Sequence, residues 1–298
     1  MSTAAVVAND LRKHYGSTIA LDDLSFEIAS GTVTGFLGPN GAGKTTTFRV
    51  LLGLAGLDGG SATVGGRRVP GQMAEIVKHV GAIVDEPGLL RPLTGRQNMT
   101  IAAHTLGFGH HRIDELVDFV ELTADIDRPV QGYSKGMRQR LALAAAMVGD
   151  PEILFLDEPL DGLDPAGQHT LKRRLRQLAE RDGRTVIISS HDLADVQALA
   201  DDVVVIARGS LRFQGALSDL IGRARGIGVT VDDQARAEQV LKGAGFEVED
   251  QDGQLMVASS DGAAIVRTLS TEGLYPSAVV PMAVSLESAF LEITGEQT

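Results

Sequence analysis

Apolar Leu24, Phe26 and Ile28 alternate with Ser25 and Glu27, the two-residue period of a strand with one buried face. Continuous apolar runs at 32–37, 80–84, 153–157 and 185–189 have the length of strands buried on both faces, and 203–207 is another core-sized run. Helical spacing separates them. Helices are expected at 44–52, 73–79, 98–106, 113–122 (Ile113, Leu116, Val117 and Val120 on one face), 138–148 and 166–180, the last with a basic outer face. The glycine pairs at 59–60 and 65–66 bracket a hairpin-like piece at 62–64. Alternating strands and helices predict an α/β fold. The tail reads differently: strand 228–231, helix 235–241, strand 246–249, a turn at Asp252-Gly253, strand 255–258, helix 263–271 and strand 278–282 give β-α-β-β-α-β, a ferredoxin-like order of α+β class. A final helix at 285–294 stops before Gly295. Two domains are expected, 1–220 and a small accessory domain at 226–298, where no chemical motif is found.

Residues 38–45 read Gly-Pro-Asn-Gly-Ala-Gly-Lys-Thr, a G-x-x-x-x-G-K-[ST] phosphate-binding loop placed between a strand and a helix. Gly38, Gly41 and Gly43 free the main chain to take positive φ and to bring N–H groups onto phosphate oxygens. The helix N-terminus adds its dipole, and Lys44 supplies a mobile charge for the β and γ phosphates. Thr45 offers a hydroxyl to Mg²⁺. Pro39, Asn40 and Ala42 within the loop and Thr46 after it complete the ATP-binding candidates here. A flexible glycine turn has no need of Lys-Thr at this offset.

The 153–158 run is an apolar strand tipped by Asp157 and Glu158, an arrangement in which the first acid holds Mg²⁺ through water and the second faces the attacking water. Ser134, Lys135 and Gly136 precede a helix; Ser134 is a simple cap candidate, and a helix start with a hydroxyl and a glycine is also an anion site. His191 ends the strand at 185–189, beside that of Glu158, where it would face the γ-phosphate. Tyr15 sits in a loop before the first alternating strand, as a packing residue or as a platform for a purine.

The formal net charge of −12 over 298 residues argues against a nucleic-acid backbone as partner. Without cysteine there is no disulfide, thiolate metal site or thiol catalysis. Residues 1–10 lack a basic n-region, so no signal peptide is expected, and no run reaches the ~18–20 apolar residues of a membrane span. A cytoplasmic protein is expected, with any membrane role supplied by a partner.

The phosphate loop, Tyr133 to Met137 ahead of Arg138-Gln139-Arg140, Leu156 to Pro159, Leu160 to Asp164 and Ser190-His191, in this order, resemble the ATPase subunit of an ATP-binding-cassette (ABC) transporter over about residues 4–218. The resemblance implies a P-loop NTPase with antiparallel β and helical subdomains, Mg²⁺ and ATP as cofactors, and two copies sandwiching two ATPs. A separate integral-membrane permease would hold the pair at the inner face of the membrane. It implies that Ser134 and Gly136 of one copy close the nucleotide on the other, with Asp164 also at the nucleotide; that Tyr15 stacks on adenine; and that Glu158 is the general base and His191 the switch histidine. Two departures stand out. The signature peptide reads Tyr-Ser-Lys-Gly-Met, and Asp85, with Glu86 one step on, replaces the family's Mg²⁺-touching glutamine, which makes Asp85 a third metal candidate beside Thr45 and Asp157. The peptide at 285–292 resembles the tails of drug-export and antibiotic-resistance cassettes. ATP-driven export is the expectation; a soluble non-transport cassette ATPase and a small-molecule P-loop kinase are the alternatives.

Overall fold

The computed structural model describes residues 4–85, 88–223, 226–251, 254–259, 261–282 and 286–295. Glu86, Pro87, the Asp252-Gly253 turn and Ser285 lie outside them. The chain divides into two compact units, Met1–Ala216 and Leu217–Thr298.

In the first unit β1 (Ala4–Tyr15) and β2 (Thr18–Ala29) form a long antiparallel hairpin. Sequence periodicity shows only the second of these strands. In β1 the register slips between Ala8 and Leu11 around Asp10, which has φ +49°, so inward positions lose their two-residue period. Tyr15 is consequently the last residue of a strand, paired with Thr18, and not part of a loop. β3 (Val33–Leu37), buried throughout, leads through the phosphate loop to α1 (Lys44–Leu51). β4 (Gly59–Val64) and β5 (Arg67–Val69) form the hairpin expected at the glycine pairs and join the first sheet, whose order is β2-β1-β4-β5.

The short helix α2 (Met73–Ile76) precedes β6 (Val80–Ile83). A helical segment follows, with α3 (Gly95–Thr105), α4 (Ile113–Phe119) and α5 (Lys135–Ala146). α3 begins with a capping box, Thr94 accepting from the Gln97 N–H while the Gln97 side chain accepts from Thr94. Then come β7 (Ile153–Asp157), α6 (Pro165–Asp182), β8 (Thr185–Ser189), α7 (Leu193–Leu199), β9 (Asp202–Ala207) and β10 (Ser210–Ala216). Periodicity does not show β10, because Phe213 alone in it is buried. The second sheet runs β10-β9-β3-β8-β7-β6, parallel from β9 to β6.

One apolar core fills the space between the two sheets. Phe26 of β2, Phe36 of β3, Phe48 of α1 and Phe155 of β7 make a ladder of rings with centroids 5.4, 5.5 and 5.5 Å apart. Such offset and edge contacts add to the area each ring buries. Their consequence is positional, since they wedge α1 between the sheets and fix the direction in which its first turn points.

The second unit contains α8 (Leu217–Arg223), β11 (Gly226–Thr230), α9 (Gln234–Gly243), β12 (Val248–Gln251), β13 (Gln254–Val257), α10 (Gly262–Thr271), β14 (Ala278–Met282) and α11 (Leu286–Thr294). Its sheet is antiparallel, ordered β12-β13-β11-β14, as the β-α-β-β-α-β reading requires of a ferredoxin-like fold. α9 and α10 cover the sheet through Ala237, Leu241, Ile265 and Leu269, all fully buried. α11 packs on α8.

Candidate functional site

Three neighbouring parallel strands, β3, β8 and β7, end at the same edge of the second sheet, where an open α/β sheet collects its ligands. Each delivers one part of the site. β3 releases the phosphate loop. A Cβ on Gly38 would lie 2.4 Å from the Ile206 carbonyl oxygen, so this glycine, which does not have the expected positive φ, is required by close approach. Gly43 at φ +108° combines a backbone that side chains resist with a Cβ position 2.6 Å from the Ala20 carbonyl. α1 starts there without a side-chain cap, which leaves its first N–H groups for an anion.

Lys44 is partly buried and donates to the carbonyls of Gly38 and Pro39. Burial pulls its ammonium below the ordinary lysine range, opposed by the charges of Glu158 and then Asp157. Both carboxylates come from the end of β7. The Thr45 hydroxyl donates to Asp157 Oδ2 at 2.9 Å, and the Ser189 hydroxyl donates to Asp157 Oδ1. Glu158 has φ +50°, uncommon outside glycine, and its N–H is tied to the Ser189 carbonyl at 3.2 Å and hydroxyl at 3.1 Å. Those ties aim the Glu158 carboxylate at His191, whose Nδ1 lies 2.8 Å from Oε2 while its backbone N–H donates to the same oxygen at 3.3 Å.

Tyr15, Pro39, Asn40, Gly41, Ala42, Gly43, Lys44, Thr45, Thr46, Asp157 and Glu158 together line a cleft of about 370 Å³. Thr18, Ile19 and Ala20 of β2 complete it. Periodicity gave no reason to single these out, nor Ser189, a fully buried hydroxyl that braces both acids. The sequence signal for Ser189 is slight: a hydroxyl closing an otherwise apolar buried strand.

Gly38 and His191 are not among its lining residues, and four further expected residues lie elsewhere. Ser134 is exposed and caps α5, accepting from the Met137 N–H at 3.2 Å. Gly136 is buried against the loop after β7, where a Cβ would lie 2.8 Å from the Gly162 carbonyl, and Lys135 meets Asp161 at 2.7 Å, so the signature segment's added charge is paired locally. Asp164 caps α6, accepting from Gly167. None of these three lines the cleft of its own chain. Asp85 does not line it either: both its oxygens are taken by Arg49, at 2.6 and 3.0 Å. Glu86 lies outside the described residues.

Paired hydroxyl and carboxylate oxygens at Thr45 and Asp157 fit a hard cation such as Mg²⁺, which is held by one or two carboxylates with phosphate oxygens and water making up the rest. Among the described residues no group of three or more His, Cys, Asp or Glu side chains forms a dedicated metal cage.

The Glu158 carboxylate, through its hydrogen bond first and its charge second, raises the His191 imidazole above its ordinary value; Asp161 and Asp192 add to this, and burial opposes it. A histidine raised on folding contributes its full stabilisation below its unfolded pKa of about 6.5, and loses it as pH climbs through the raised folded value. Thermal melts of wild type and His191→Ala should therefore differ more at pH 6 than at pH 9. The gap should be small, since the His191 side chain is 62% exposed. Equal gaps at both pH values would dispose of the charged pair.

Residues 21–161 match the ABC transporter domain family. An ABC transporter ATP-binding protein of Bacillus subtilis, YhcH, is 37% identical over 99% of this chain and 97% of its own length. The bacitracin transport ATP-binding protein BcrA of Bacillus licheniformis is 36% identical over 100% and 99% of the two chains. A solved ATP-binding subunit of an ABC transporter superimposes with a TM-score of 0.67 at 26% identity, covering 72% of this chain and 91% of that one.

Proposed function

This chain belongs to the ABC transporter family as an ATP-binding subunit, and from that premise we propose that it hydrolyses ATP to power export through a separate membrane-spanning permease. The cleft carries the reading: the phosphate loop, the Thr45–Asp157 pair and Glu158 line one cavity, and Glu158 is hydrogen-bonded in turn to His191. The N–H groups at the start of α1 bind phosphate oxygens. Lys44 exchanges its two carbonyl partners for the β and γ phosphates and neutralises their charge. Thr45 and Asp157 would hold Mg²⁺, which would supply further charge neutralisation at the transferring phosphoryl group. Glu158 accepts the proton of the water that attacks the γ-phosphorus, and His191 keeps that carboxylate in place.

Ser134, Gly136 and Asp164 stand outside their own chain's cleft, which supports a second copy of the chain presenting them to it, head to tail. The bacitracin transport role of BcrA and its near end-to-end match support a drug or antibiotic as cargo. No helix among the described residues is long and apolar enough to cross a membrane. Attachment to the inner face of the membrane through the permease follows from the same reading.

Purified chain with Mg²⁺ and ATP should release inorganic phosphate with no acceptor present. In sedimentation, the slow Glu158→Gln variant should become dimeric on adding ATP and return to monomer once ATP is removed. ADP formed only with an added acceptor, and no inorganic phosphate, would point to a kinase. A monomer at saturating ATP would remove the sandwich.

A further inference from the structure

The basic residues of α6 read from sequence as an outer face, yet two of them, Lys172 and Arg176, one helical turn apart, grip α7. The Lys172 ammonium lies 2.5 Å from Oδ1 of Asp195. The Arg176 guanidinium donates to the Leu199 carbonyl at 2.9 Å and pairs with Asp201 at 2.7 Å. Positions 195 and 199 are also one turn apart, so two rungs join the helices. Asp195 is the one buried carboxylate among the described residues, its side chain 9% exposed. A carboxylate so placed is costly without a cation, and Lys172 supplies it. The first rung sits four residues after His191. Between them the chain is held locally: the Asp192 N–H donates to the Ser190 hydroxyl at 3.0 Å, and the Asp192 carboxylate caps α7 by accepting from the Ala194 N–H at 2.8 Å. On its other side α7 is seated on β3, where a Cβ on Gly35 would lie 2.4 Å from Val196 Cγ1. Val196 thus fixes how closely α7 approaches the sheet, and Asp195 fixes how the helix is turned about its axis. A turn of α7 would carry His191 with it, whose ring and backbone N–H both meet Glu158.

We infer that Lys172 and Asp195 are positioning residues for hydrolysis: their ion pair sets the rotation of α7 and so holds His191 against Glu158. The inference rests on the reading of Glu158 as the general base. Neither residue of the pair lines the cleft, so their effect falls on the proton-transfer step and not on nucleotide affinity.

Asp195→Asn removes the charge at almost constant size. Its kcat should fall about 10- to 100-fold, the scale of a displacement of about 1 Å at a reacting group, while the KM for ATP stays within about twofold. On a His191→Ala background the same substitution should add little, because both changes act through one contact. In nucleotide-free protein the His191 ring, assigned in NMR spectra by its loss in His191→Ala, should titrate above its ordinary value of about 6.5 in wild type and fall back toward that value in Asp195→Asn. Lys172→Leu combined with Asp195→Leu exchanges the pair for apolar groups, a change that is often neutral or stabilising for the fold. This double variant should melt near the wild-type temperature and still show the loss of kcat, since apolar contact gives α7 no fixed rotation. A kcat loss of equal size with and without His191 would make the pair a support of the fold alone and overturn the inference. An unchanged His191 titration in Asp195→Asn, or full kcat in the apolar double variant, would overturn it as well. Wild-type chain that released no phosphate would instead remove the proposed function, and the His191 titration would still decide whether the pair holds the ring.

Discussion

Glu158→Gln should lower ATP turnover by about 10² to 10⁴ while leaving ATP affinity within about twofold, the range expected when only a general base is removed. Glutamine keeps the size and planar end group of glutamate but cannot take a proton from water. It also keeps what the backbone does. The N–H at position 158 remains tied to Ser189, and Asp157 remains braced by Ser189 and Thr45. The loss is therefore chemical and not a collapse of the cleft. Steady-state phosphate release read alongside nucleotide binding checks both halves of the claim. Full turnover in the variant would assign the proton transfer to another group. A parallel loss of binding would mean that the carboxylate mainly organises the site.

Lys44→Ala should weaken ATP binding by about 10- to 100-fold, because a charge-assisted hydrogen bond is worth roughly 1.5–3 kcal/mol. Partial burial sharpens the effect. With the ammonium gone, Asp157 and Glu158 face the incoming phosphates with no cation of the loop between them, and the low local dielectric strengthens that repulsion. Folding should survive, since the ammonium's burial is unfavourable to its charged form and alanine removes that cost. Equilibrium dialysis with ATP, together with a denaturation curve, separates the two effects. Unchanged affinity in a folded variant would end the assignment of residues 38–45 to the triphosphate.

The chemistry was legible because each motif is local. The phosphate loop must be contiguous for its N–H groups to converge, so eight successive residues announce it. The tip of β7 is legible for a similar reason: a buried strand that ends in two acids has no apolar explanation, and the structure brings both into the expected cleft. The tail's order of strands and helices could also be read, since its amphipathic periods are undisturbed, and the antiparallel order β12-β13-β11-β14 agrees with it.

Where local pattern failed, a non-local cause is visible. β1 lost its alternation to a bulge at Asp10, and β10 carries only one buried side chain, Phe213. Asp85 shows another kind of non-local cause. Its place just after β6 makes it a metal candidate by sequence, and in the structure an arginine thirty-six residues earlier in the chain takes both of its oxygens. Ser189 carries almost no sequence signal, because a serine at the end of a strand means nothing until the neighbouring strand is known.

By itself the sequence determined which residues can touch phosphate and which can take a proton, because those abilities reside in residue type and in short-range backbone geometry. Tertiary structure decided partnership: Ser189 with both acids, His191 with Glu158, Arg49 with Asp85, and Ser134, Gly136 and Asp164 standing away from their own chain's cleft. The physical reason is distance along the chain. Hydrogen bonds reach about 3 Å, and only the parallel pairing of β3, β8 and β7 brings residues so far apart in sequence within that reach.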